Sequence, residues 1–208
     1  MNKFLLRAVG MASAIAALGV PLLANAESNL QSGGGALTAT ARLDFRITVP
    51  KVLFLQVGTG ASMAPNLSVN LIDFVVLAAN VGDASVINAT AGSGDLGNGT
   101  VTAKVIGNDG NVTLTSMTVG ALGNGVGDTL SFSQIATASA VLTSPTPLAA
   151  PALADMATTS TTVPATGKVV NRDARWTFSY LNAAIVPPGT YGGIDANNSR
   201  VTYTASMP

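Results

Sequence analysis

The chain has 208 residues, with ten basic and ten acidic side chains, 48% hydrophobic residues, only 10% charged ones, and neither cysteine nor histidine. The even charge balance argues against nucleic acid or an anionic membrane surface as a partner. Without cysteine there is no disulfide and no cysteine-linked lipid anchor; without histidine the commonest general base and metal ligand is missing, and with it the Ser/His/Asp arrangement.

Residues 1–26 carry Lys3 and Arg7, an apolar run from Ala8 to Leu23, and then Ala24-Asn25-Ala26. A basic start, a short apolar middle and small residues two apart form an export signal, with cleavage specified by Ala24 and Ala26. Gly10, Gly19 and Pro21 interrupt the run, and no basic stop-transfer cluster follows it, so the segment reads as a removed signal rather than a lasting span. The expected product is exported, to the periplasm and on to the cell surface or the medium, with no membrane span after cleavage. Residues 27–35, ending in Gly33-Gly34-Gly35, form a flexible tether.

From Leu37 the apolar residues fall on alternate positions: Leu37, Ala39, Ala41, Leu43, Phe45, Ile47 and Val49, with polar residues between them. A period of two over this length predicts a long half-buried strand that ends or bends at Pro50. A second strand spans 52–57 and is closed by Gly58 and Gly60. Further strands are predicted at 67–77, 100–106, 112–119, 129–135, 168–180 and 200–206, separated by Gly/Asn/Asp clusters. Asn108-Asp109-Gly110-Asn111 lies between two alternating runs and predicts a hairpin whose strands pair antiparallel. The Gly-rich stretches 92–100 and 120–128 read as loop tips, because the first leads into a strand and not into a phosphate-binding helix. Residues 143–167, rich in Pro, Ala, Ser and Thr, read as a surface excursion with a short helix at 150–157. Many short strands at this spacing predict an all-β antiparallel sandwich, one domain over 36–208.

Candidate chemistry is sparse. Asp83, Asp95, Asp109, Asp128 and Asp195 all stand beside Gly or Asn, where aspartate bonds the local backbone of a turn, so they do not read as paired catalytic carboxylates. No spaced run of oxygen ligands suits calcium. Trp176, Phe178 and Tyr180 alternate on one strand and read as core rather than as a sugar platform. Arg172, Asp173 and Arg175, just before them, read as forming a solvated surface pair. The expectation is therefore a non-enzymatic protein with no catalytic residue, cofactor or metal. Its low charge density suits packing against copies of itself or against a cell surface.

Three segments carry a resemblance: Leu37-Thr38-Ala39-Thr40-Ala41-Arg42-Leu43-Asp44, Leu53-Phe54-Leu55-Gln56-Val57-Gly58, and the ending Pro188-Gly189-Thr190-Tyr191-Gly192-Gly193 with Val201-Thr202-Tyr203-Thr204-Ala205. Together they resemble the major pilins of the alternative chaperone-usher pathway, the colonisation-factor type. The ending, with Trp176 upstream, is also similar to WxL-type surface domains, which attach to cell walls. The pilin resemblance implies an immunoglobulin-like sandwich left incomplete and filled by an N-terminal strand from the next subunit, with a periplasmic chaperone and usher as partners. Leu37, Ala39, Ala41 and Leu43 would then supply the donor strand. The Gly33–Gly35 tether and the residues 194–200 before the last strand depart from that pattern. The alternative is a self-contained secreted adhesion or wall-binding domain, with a surface glycan or wall as its partner, in which residues 37–49 pair within their own fold. A secreted enzyme or carbohydrate-binding module is a third reading.

Overall fold

The structure is a computed structural model that describes residues 28–208; the export signal expected over residues 1–26, with Ala24 and Ala26, lies outside the described residues. The chain divides into two compact units, Met1–Val49 and Pro50–Pro208. Within the first, residues 28–49 bend at Gly33–Gly35 and otherwise carry neither strand nor helix. The strand expected over 37–49 is therefore not formed. Its apolar side chains are exposed, Leu43 at 76% and Ile47 at 87%. Alternation creates an apolar face, but a strand exists only where another strand takes up its backbone groups.

The second unit is all-β. Its strands are β1 (Leu53–Val57), β2 (Ile87–Asn88), β3 (Thr100–Gly107), β4 (Val112–Thr118), β5 (Leu122–Gly123), β6 (Thr129–Leu130), β7 (Ile135–Ala140), β8 (Thr158–Val163), β9 (Val170–Tyr180) and β10 (Val201–Ser206). In one sheet β1 pairs β3, β3 pairs β9, and β9 also takes β2 and β7; in the other β4 lies between β10 and β8. Every pairing is antiparallel, and β5 and β6 make a small ladder of their own.

The core lies where the two inner faces meet. Val101, Ala103 and Val105 of β3 and Ala174, Trp176 and Phe178 of β9 pack on Val112 and Leu114 of β4 and on Val163 of β8. Each fully buried Val or Leu side chain contributes about 1.5–3 kcal/mol. Trp176, the largest buried side chain, is 0% exposed, and its Nε1 donates to the Leu148 carbonyl at 2.7 Å. Its position in the core leaves it no face on which a sugar could stack.

The 108–111 turn differs from its expectation. Strands β3 and β4 flank it as foreseen, but they belong to different sheets. The turn is an arch over the edge of the sandwich and not a hairpin. Both strands have one apolar face, and these faces meet across the core instead of lying side by side in one sheet. Asn111 Oδ1 accepts from Ala165 N at 2.9 Å and Gly110 N donates to Lys168 O at 2.9 Å, so the arch is tied to the β8–β9 connection.

Residues 67–77 form no ladder. They run extended with Ile72 and Phe74 against the core, held by single bonds such as Thr90 N to Asp73 O at 2.8 Å and Gly94 N to Leu71 O at 3.3 Å. The strand expected at 129–135 breaks at a 3-10 turn, Phe132–Gln134, whose start is capped by Ser131 accepting from Ser133 N. The pairing then resumes as β7. The excursion 143–167 contains no helix. It buries Leu148 and Pro151 and supplies β8. The carbonyls of Ala152 and Ala154 are taken by the hydroxyls of Ser116 (3.0 Å) and Thr118 (2.5 Å) on β4, which leaves them unavailable to a helical ladder.

Candidate functional site: an open sheet edge

Strand β10 alternates cleanly. Val201, Tyr203 and Ala205 are half-buried, while Thr202, Thr204 and Ser206 are exposed. It pairs β4 from Val201↔Thr118 to Ser206↔Thr113 and, among the described residues, has no partner on its other side. In a strand paired on one side, about half of the backbone N–H and C=O groups point away from the ladder. Strand β1, at the edge of the other sheet, is likewise paired only with β3. The two edges lie beside each other, because β1 and β10 are in contact.

Five side chains line this side of the sandwich: Leu55 and Val57 from β1, Tyr203 and Ala205 from β10, and Met207 beyond it. All are apolar or aromatic, packed on the core and only partly covered. Tyr203 meets Trp176 with ring centroids 5.4 Å apart. Burial raises its phenol above the usual range, so the hydroxyl stays neutral at any physiological pH. Beyond the end of β1, a cavity of about 90 Å³ is lined by Leu55, Val57, Thr59, Ala61 and Ala64. The arrangement offers unpaired amides flanking apolar side chains. That chemistry suits an extended peptide with apolar residues at alternate positions, since it would satisfy both requirements at once.

The four donor residues expected from the sequence, Leu37, Ala39, Ala41 and Leu43, are all exposed, as are Phe45, Ile47 and Val49. The aspartates sit in local structure. Asp83 accepts from Ser85 and from the amides of Asn80 and Asn182, and the bonds from Ser85 first and then Asn80 hold its carboxyl down to about 2. Asp95 accepts from Thr102 N at 2.9 Å, Asp109 pairs with Lys51 at 2.8 Å, Asp128 takes the Asn124 amide at 2.8 Å, and Asp195 lies 3.3 Å from Arg200.

Asp173 corrects the expectation of a solvated surface pair. It is buried, makes no ion pair among the described residues, and bonds the loop after β7. Thr143 N and Ser144 N donate to its Oδ1 at 2.9 and 2.7 Å, and the Thr143 hydroxyl donates to Oδ2. Burial pushes its carboxyl up, but these donors outweigh burial and hold it at about 2. A second cleft, of about 360 Å³, lies nearby between Ser144, Pro145, Pro164, Val169 and Arg172. There the Arg172 guanidinium donates to the Thr146 carbonyl at 3.3 Å.

Sequence reading did not identify β10 as an edge, because alternation specifies a face and says nothing about neighbours. It also missed Asn108, whose side chain fixes the entry to β1.

The fold and this edge define an all-β sandwich with two adjacent edge strands, each paired on one side only among the described residues. No protein family, curated protein or solved structure matches the chain. Among the described residues no helix is long and apolar enough to cross a membrane.

Proposed function

We propose that this protein is a structural cell-surface subunit of the pilin kind, exported and then joined to further copies by strand exchange. One observation carries the reading: an alternating apolar segment, 37–49, has its apolar side chains exposed and forms no strand, in the same chain whose β1 and β10 edges are open among the described residues. The apolar face of that segment matches what the edge lacks. The order β1-β3-β9-β7 in one sheet and β4 beside β10 in the other supports an immunoglobulin-like arrangement. In that arrangement a further strand pairs on the free side of β10. A neighbour's residues from Leu37, Ala39, Ala41 and Leu43 onward supply it, a chaperone shields the edge before assembly, and an usher orders the addition.

The full chain, expressed for export and purified without a chaperone, tests this by light scattering and calorimetry. Polymers or aggregates that a peptide of residues 36–49 converts to a single cooperative species support strand exchange. A monodisperse monomer with one transition that the peptide leaves unchanged overturns it. One observation favours the second reading, a self-contained adhesion or wall-binding domain: among the described residues no buried side-chain polar atom lacks a hydrogen-bond partner. The monomeric outcome would select it.

A further inference from the structure

Residues 37–49 enter β1 through Pro50, Lys51 and Val52, and this short connection is held at three points. The Asn108 Nδ2 donates to the Pro50 carbonyl at 2.8 Å, and its Oδ1 accepts from Val52 N at 2.8 Å. One carboxamide thus spans Lys51 and bonds both flanking peptide groups, as a neighbouring strand's peptide would. The Lys51 ammonium reaches Asp109 Oδ2 at 2.8 Å and donates to the Pro208 carbonyl. Pro50, Lys51 and Val52 show neither turn nor bend.

This clamp matters because the open edge has two competing occupants. A second copy must arrive from solution, whereas the chain's own segment 37–49 is tethered to β1 by three residues. Tethering through a short linker gives an effective concentration in the millimolar range, so folding back would outcompete association at ordinary protein concentrations. Folding back beside β1 needs a chain reversal over Pro50–Val52, which is the length of a three-residue hairpin loop. The Asn108 bonds to both peptide groups around Lys51, with the Lys51–Asp109 pair, oppose that reversal.

On the strand-exchange reading above, we infer that Asn108 commits the segment 37–49 to a second copy of the chain by holding Pro50–Val52 extended and closed to reversal. Asn108 acts as a positioning residue and does not itself line the open edge. The partner specified is another copy of this chain, and the clamp sets the balance between polymer and self-closed monomer.

The test compares three full-length chains expressed for export: wild type, Asn108→Ala, and Pro50→Asn/Lys51→Gly. The last leaves Asn108 in place but puts an Asn-Gly pair, the strongest short hairpin signal, into the connection. Mass is followed by light scattering against concentration, and amide exchange is read across residues 43–49. The wild type is expected to polymerise with concentration. Both variants are expected to shift toward monomer by about tenfold or more, the scale of a lost hydrogen bond. Their segment amides should be protected at every concentration. Wild type and both variants polymerising alike would overturn the clamp and leave strand exchange standing. A wild type that stays monomeric with an unprotected segment would overturn strand exchange itself. If Asn108→Ala does not fold, the double variant decides alone.

Discussion

Trp176 on β9 and Tyr203 on β10 pack at a centroid distance of 5.4 Å, tilted by 46°, and so join the two sheets beside the open edge. Trp176 lies wholly in the core, whereas Tyr203 is only half covered. The pair therefore links the buried core of the sandwich to an edge strand that is paired only with β4 among the described residues.

Trp176→Ala is expected to cost about 3–5 kcal/mol, because it opens a cavity between the sheets. Trp176→Phe should cost less, about 1–3 kcal/mol, through the Leu148 carbonyl left without its indole donor. Urea unfolding of the full chain, followed by far-UV circular dichroism, gives both values. A loss below about 1 kcal/mol for the alanine variant would contradict the burial of the indole.

Asp173 makes stability acid-sensitive. Its carboxyl is held at about 2 against an ordinary 3.8. The folded value is depressed, so the stabilisation is complete above the unfolded value and disappears as pH falls through the folded one. Between about pH 4 and pH 2, wild type should lose stability more steeply than Asp173→Asn. At neutral pH Asp173→Ala is expected to be the weaker of the two variants, by about 1–3 kcal/mol relative to wild type, since Thr143 N and Ser144 N lose their acceptor. Denaturation midpoints measured across that pH range would show parallel curves if the carboxylate plays no part.

Gly99 has φ +73°, and a Cβ there would stand 2.7 Å from Ala89 Cβ and 3.0 Å from the Phe178 carbonyl oxygen. Both the backbone conformation and the contact resist a side chain. Gly99→Ala should destabilise by about 2 kcal/mol or more. It should also raise amide exchange at Phe178, whose N–H bonds the Gly99 carbonyl at 2.9 Å. An unchanged melting temperature would show that this loop yields freely.

Phe45→Asp and Ile47→Asp change side chains that are 84% and 87% exposed. Neither should alter the unfolding of the sandwich by more than about 0.5 kcal/mol. Each should abolish polymer formation if the segment enters a neighbour's apolar edge, because a carboxylate buried there would be unpaired. Electron microscopy of exported protein distinguishes the outcomes: polymers of normal length in both variants would exclude this segment as the connecting strand.

Most strands were legible because alternation is local. The spans expected at 52–57, 100–106, 112–119, 168–180 and 200–206 correspond to β1, β3, β4, β9 and β10 with ends shifted by a residue or two. The inward position of Trp176, Phe178 and Tyr180 followed from the same period and from their size. Strand β8 was hidden because its Thr158–Val163 run is nearly all hydroxyl residues. It is a strand because β4 offers it a ladder from Val112↔Val163 to Met117↔Thr158. Residues 67–77 show the converse: they have strand-like apolarity but no ladder, since irregular bonds from Thr90, Ser93 and Gly94 serve their backbone instead.

By itself the sequence determined the class of fold, the position of most strands and which of their faces turn inward, because a two-residue period is written in neighbouring residues. Only the tertiary structure decided which strands share a sheet. Asp-Gly at 109–110 permits a tight reversal equally well within one sheet or across two, and the burial of Val105 against Val112 and Leu114 settles it for the arch. The tertiary structure likewise decided that Asp173 is enclosed by Thr143 and Ser144 rather than solvated beside Arg172. It also decided that β1 and β10 end their sheets side by side with no further partner among the described residues. Edges and enclosures are made by residues far apart in the chain, and no local pattern records them.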